Sequence, residues 1–127
     1  MVEITNQILC ITNNHSYKEL LREITSSQEN ISILFTSNIL EAIPSLQSKQ
    51  FLIVIIDESI SLNNPEAFKQ LLTLLTSLCI NLNTLIIVPQ LSKEYFDKYI
   101  KLGFIYIADI QIIKYLLPAI LKNIKEF

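Results

Sequence analysis

A chain of 127 residues with a single glycine, Gly103, and a single histidine, His15, is already barred from several kinds of chemistry. One glycine cannot build the glycine-rich loop that lets a backbone approach phosphates, so nucleotide loops of that type are excluded. One histidine and two cysteines, with no CxxC or HxxxH spacing, do not make a zinc site. Cys10 and Cys79 both have apolar neighbours and read as small buried hydrophobes of a cytoplasmic protein, not as a disulfide framework. Charge is scarce too: 17% of residues carry it, the net is −2, and no basic stripe offers itself to a nucleic acid. Half the residues are hydrophobic, yet the longest unbroken apolar run, Phe51 to Ile56, is far short of the ~20 residues that span a bilayer. The N-terminus, MVEITNQ, has neither the basic start nor the apolar centre of a signal peptide. The apolarity therefore belongs to a core, one built on strands buried on both faces.

What is present is an alternation. Short runs rich in Ile, Val and aromatics, too short for helices, mark strands at 7–12, 31–36, 51–56, 84–88 and 104–108. Helical segments lie between them, several with recognisable starts. Ser16 and Glu19 have capping-box spacing, as do Asn38 and Glu41. Asn64 precedes Pro65 at a first helical position, Ser92 can cap the fourth helix with Gly103 past its end, and Asp109 can cap the fifth. Five strands alternating with five helices predict a flavodoxin-like (βα)5 fold. Its doubly wound parallel sheet has strand order 2-1-3-4-5, with right-handed crossovers. No linker, repeat or low-complexity segment divides residues 1–127, which read as one domain.

In such a fold, function sits beyond the carboxyl ends of the strands. Those ends are Thr12-Asn13-Asn14, Asp57-Glu58-Ser59, Pro89-Gln90 and Ala108-Asp109. The run FLIVIIDES (51–59) takes six apolar residues straight into Asp57 and Glu58. Three readings of Asp57 stand open: a strand end meeting water, a reactive carboxylate, or a polar contact in a pocket. Asn13 and Asn14 read as a loop able to cap the first helix, and His15 as a surface histidine with no nucleophile beside it.

The stretch ILCITNNHSYKELLREI (8–24) resembles the pattern ILIVDDDPxxRELLRxx of response-regulator receiver domains, and the likeness in element order and length covers nearly the whole chain. The resemblance implies that Asp57 is the phospho-acceptor position. It also implies the supporting positions, and there this sequence departs. The acidic pair that holds Mg²⁺ is Thr12 and Asn13 here. The Thr or Ser after the fourth strand is Pro89, with Ser92 nearby. The Lys-Pro after the fifth strand is Ala108 and Asp109, allowing one gap after Gly103, and the proline four residues past the acceptor is Ser61. Mg²⁺ wants carboxylate oxygens, and one Asp beside neutral Thr and Asn is a poor site for it. Without metal or lysine, little offsets the charge of an arriving phosphoryl group. Thr12, Asn13, Glu58, Pro89 and Ala108 thus form a vestigial pocket around an acceptor expected to be inactive.

Two relatives in architecture fit less well. Sugar-phosphotransferase subunits carry a reactive cysteine near the end of the first strand, but Cys10 lies inside the strand with no glycine loop after it. Flavodoxin itself needs a hydroxyl- and glycine-rich phosphate loop, which TNNHSY is not.

The chain's other end carries an excess of apolar residues. QIIKYLLPAILKNIKEF (111–127) spreads them over more than one stripe, and KEYFDKYI (93–100) adds Tyr95, Phe96 and Tyr99, not all of which can face inward. Receivers use the surface of the fourth helix, fifth strand and fifth helix for dimerisation and partner contact. The resemblance therefore implies an interface including Tyr95, Tyr99, Tyr106, Ile112 and Leu116. Pro118 should kink or break the last helix.

The expectation is a degenerate, non-enzymatic, cytoplasmic receiver-like module, with catalytic and metal-ligating residues none and cofactors none. It acts through a protein partner or as a homodimer, and binds neither nucleic acid nor membrane. Conventional receivers end at about this length, so no output domain is expected within these residues. Two alternatives remain. One is a working receiver that is phosphorylated on Asp57 and needs Mg²⁺. The other is a small-molecule sensor with a cavity under Asn13, Asp57 and Pro89.

Overall fold

The computed structural model describes residues 3–125. Five parallel strands make the main sheet: β1 (Gln7–Ile11), β2 (Ser32–Thr36), β3 (Ile53–Asp57), β4 (Thr84–Ile87) and β5 (Tyr106–Ala108). Five helices alternate with them: α1 (His15–Ser26), α2 (Ile39–Ser48), α3 (Pro65–Ser77), α4 (Lys93–Lys101) and α5 (Ile110–Lys125). The order across the sheet is β2-β1-β3-β4-β5, the doubly wound arrangement expected from the sequence. Glu3–Ile4 and Lys49–Gln50 add a separate two-residue parallel bridge.

Successive strand residues point to opposite faces, and along β1, β3 and β4 both faces are covered, which is why these strands read as nearly unbroken apolar runs. Leu9, Ile11, Val54, Ile56 and Ile86 pack on one side with Ala42, Leu71 and Tyr99 from α2, α3 and α4. Ile8, Cys10, Ile53, Ile55 and Ile87 pack on the other with Leu21 of α1 and Ile113, Leu117 and Leu121 of α5. All five residues of β3 are buried. Truncating one of its central side chains, as in Ile55→Ala, is expected to cost about 2–5 kcal/mol.

The helix starts follow the chemistry of their caps. Asn38, Asn64 and Ser92 each accept a hydrogen bond from a first-turn backbone N–H. In α1 the cap is Asn14, which accepts from the Tyr17 N–H at 3.1 Å, so the helix begins before the expected Ser16. The chain enters β3 two residues later than expected, because Lys49–Gln50 pairs with the N-terminal bridge first.

Two expectations need correction. Pro118 does not break the last helix: α5 runs through it, held by buried Ile113 and Leu117 before the proline and Leu121 after it. Cys79 is exposed, not buried. It closes α3 in the left-handed conformation, φ 60°. Its N–H donates to the Thr76 carbonyl (3.1 Å) and the Ile80 N–H to the Leu75 carbonyl (2.8 Å). This is the paired closing motif that usually takes glycine. Gly103 ends α4 in the same way at φ 97°.

Candidate functional site

Register brings the strand ends together. Ile11 of β1 lies beside Ile56 of β3, so the next residues, Thr12 and Asp57, are neighbours although far apart in the chain. Asp57 is only 3% exposed, so this strand end does not meet water. Its carboxylate is satisfied from within. Thr12 Oγ1 donates to Oδ2 at 2.8 Å, while the Ser59 N–H and hydroxyl donate to Oδ1 at 3.0 and 2.8 Å. The Asn14 N–H in turn donates to Thr12 Oγ1 at 3.0 Å, fixing the hydroxyl. Thr12 thus stands beside the carboxylate as a neutral donor, where the resemblance implies an acidic group. Asn13 is exposed.

The other strand ends contribute differently. Ala108 is buried and Pro89 exposed, and neither offers a polar side chain. Asp109 bridges two elements: Oδ1 accepts from the Gln111 and Ile112 N–H groups at the start of α5, and Oδ2 accepts from the Leu91 N–H (3.1 Å) in the loop before α4. Glu58 turns to α4, where Lys98 Nζ lies 3.5 Å from Oε1. Lys98 also sits over the Tyr99 ring, 5.2 Å from its centre.

The negative field of this region is felt by its neighbours. Burial first, and the Asp57 carboxylate second, push the Cys10 thiol far above its ordinary value, against a smaller opposing pull from Lys18. The Tyr17 phenol is raised by burial, then by Asp57, then by Asp109. Cys10 is therefore a neutral core thiol. Among the described residues, no group of three or more His, Cys, Asp or Glu side chains is placed to hold a metal ion. Around Asp57, Thr12 spends its proton on Oδ2 and Glu58 faces Lys98.

The sensor reading called for a cavity under Asn13, Asp57 and Pro89. None of five surface cavities described is lined by any of these residues. Thr12 and Asp57 are both buried there and bonded to each other. One cavity, about 300 Å³, lies at the amino-terminal ends of the central strands between Leu46, Phe51, Val54 and Ile80.

At the chain's other end the residues expected at an interface differ in exposure. Tyr99 is fully buried and cannot contribute to a surface; among the described residues no partner meets its hydroxyl in full hydrogen-bond geometry, although Glu58 acts on it. Burial, and then the Glu58 carboxylate, raise this phenol strongly. Tyr95, Tyr106 and Leu116 are half-buried. The exposed apolar side chains are Phe96 and Ile100 of α4, Ile105 just before β5, and Ile112 and Tyr115 of α5, with Tyr115 81% exposed. Lys98 and Lys18 are not among the strand-end residues singled out from sequence, and Ser59 is named there without a role. Only Ser59 left a local signal, as the hydroxyl two residues past an aspartate.

Solved structures share this arrangement. A response regulator from Thermotoga maritima superposes with a TM-score of 0.73 at 12% identity, covering 97% of this chain and 99% of that one. A response regulator receiver protein from Pseudoalteromonas atlantica gives 0.74 at 12% identity over 94% and 97%. A putative pilus assembly-related protein from Burkholderia pseudomallei gives 0.63 at 16% over 94% and 89%. The fold is thus that of response-regulator receivers, at identities where fold alone is shared. No family model and no curated protein sequence matches the chain. No helix among the described residues is long and apolar enough to cross a membrane.

Proposed function

We propose that this chain is a non-enzymatic receiver-fold module of cytoplasmic signalling, working through protein contacts and without phosphorylation of Asp57. The observation that carries the reading is the state of the Asp57 carboxylate. A phospho-acceptor needs an oxygen free to attack phosphorus and a cation to offset the incoming charge. Here both oxygens accept hydrogen bonds from neutral donors inside the chain. Receivers carry lysine where this chain has Ala108, and Asp109, one residue further on, adds negative charge whose field reaches the same region as that of Asp57. The reading calls for no cofactor.

The working surface in this reading is the α4–β5–α5 face, where Phe96, Ile100, Ile105, Ile112 and Tyr115 leave apolar area in water. Such a patch is what a protein partner covers. The Glu58–Lys98 pair joins that face to the loop after Asp57, so the two regions share one element.

Beryllium fluoride or a small phosphodonor, added with Mg²⁺, tests the reading. The amide resonances of Thr12, Asp57 and Ser59 are expected to stay where they are. Saturable shifts that vanish in Asp57→Asn would instead establish a working acceptor.

A further inference from the structure

The two edges of the sheet are not alike, and the difference concerns β2. Among the described residues its only strand partner is β1. The Ser32 N–H donates to the Asn6 carbonyl (3.2 Å), and the Thr36 carbonyl accepts from the Thr12 N–H (3.0 Å). In a parallel ladder alternate residues serve the same neighbour, so Ser32, Leu34 and Thr36 turn their backbone groups to β1. Ile33 and Phe35 therefore turn an N–H and a C=O each to the open edge, and nothing among the described residues pairs with them. At the opposite edge Ala108 serves β4 through its carbonyl, which leaves Ile107 as the one residue of β5 turned outward.

Exposed edges are normally blunted by a charge, a proline, a bulge or extreme shortness. The β2 sequence, SILFT, has no charge and no proline, and pairs with β1 at every position without a bulge. Its side chains are also unusual for an edge. Leu34 is 38% exposed and packs in neither core, while Ile33 and Phe35 half-bury themselves on the α1 side.

We propose that this edge is a self-association surface, through which two copies of the chain join β2 to β2 antiparallel about a two-fold axis at Leu34. The axis places Ile33 opposite Phe35 of the partner, and the reverse. Those are the residues with free backbone groups, so both pairs close as hydrogen-bonded pairs, giving four new N–H···O bonds. Leu34 meets its own copy at the non-hydrogen-bonded position, where side chains approach most closely. The side-chain matches are Leu with Leu once and Phe with Ile twice, the aromatic and β-branched pairing that antiparallel strands favour. No like charges face each other within β2. The result is one ten-stranded sheet with the two α4–β5–α5 faces at its far ends. The inference does not depend on the role proposed for those faces. The contact is small, and such a dimer dissociates on dilution.

The experiment combines sedimentation with amide hydrogen exchange on the full chain from about 10 μM to about 1 mM. Self-association is expected across this range, with the Ile33 and Phe35 amides becoming protected as dimer forms. The Leu34 amide, bonded to β1, is protected throughout. Leu34→Lys sets two ammonium groups against each other at the axis and is expected to give a folded monomer. A chain that stays monomeric at 1 mM overturns the proposal. So does a dimer in which Ile33 and Phe35 still exchange freely, because its contact would then lie elsewhere. A dimer that persists in Leu34→Lys overturns it as well.

Discussion

Thr12 Oγ1 and Asp57 Oδ2 are 2.8 Å apart, a buried hydrogen bond between two strand ends. It ties the first strand to the third at the edge where receivers place their chemistry, and uses the oxygens that such chemistry would need. Replacing Thr12 with valine keeps the shape and removes the donor from a buried carboxylate. Thr12→Val is expected to lower stability by about 1–3 kcal/mol in urea unfolding, and Thr12→Ser by less. Equal stability of wild type and the valine variant would mean that water replaces the hydroxyl.

The two thiols should separate cleanly. Cys79 is exposed and Cys10 buried, so native protein at mildly alkaline pH is expected to take one equivalent of iodoacetamide, at Cys79. The raised Cys10 also sets a slope in stability. Above its ordinary value of 9.0 the unfolded thiol loses its proton while the folded one keeps it. The native state then binds more protons, and stability falls as pH rises, by up to about 1.4 kcal/mol per pH unit. Between pH 9 and 10 Cys10→Ala is expected to flatten that part of the profile, whatever its cost in packing.

The matched helix ends make opposite forecasts. At Gly103 a Cβ would meet Asn81 Nδ2 at 3.1 Å, and the backbone is left-handed. Gly103→Ala is expected to destabilise by roughly 1–2 kcal/mol. Cys79 occupies the equivalent place with a side chain, so Cys79→Gly is expected to stabilise by about 1 kcal/mol. Thermal unfolding of the two variants reads both signs.

Asp109 caps α5 and holds the loop before α4 through Leu91. Asp109→Ala is expected to cost about 0.5–2 kcal/mol as a lost cap. Faster hydrogen exchange should appear at Gln111 and Ile112, and also at Leu91. Faster exchange at α5 alone would show that the Leu91 tie is incidental.

These examples also mark what could be read from sequence. The five strands, their order and the caps Asn38, Asn64, Ser92 and Asp109 were legible, because each rests on residue type over a few neighbouring positions. The phase of α4 was not. Tyr95 and Tyr99 form one stripe at four-residue spacing and Phe96 with Ile100 another, both apolar, and only packing against the sheet decides which turns inward. The Thr12–Asp57 bond was equally hidden, since it exists only through the register of β1 with β3. Cys79 gave no sign because the left-handed position it fills usually announces itself with glycine.

The strand order has a consequence in time. β3 completes the three-stranded unit β2-β1-β3, and β4 and β5 are then added on one side only, each to the strand before it. During synthesis, β3 is the growing edge until residues 84–87 arrive. All five of its residues, Ile53 to Asp57, end up buried. For that interval the most apolar strand, paired with β1 on one side, is open on the other, and a stalled or truncated chain ending before β4 presents that side to other chains. The hazard of this fold lies less in its finished surface than in the order in which the surface closes.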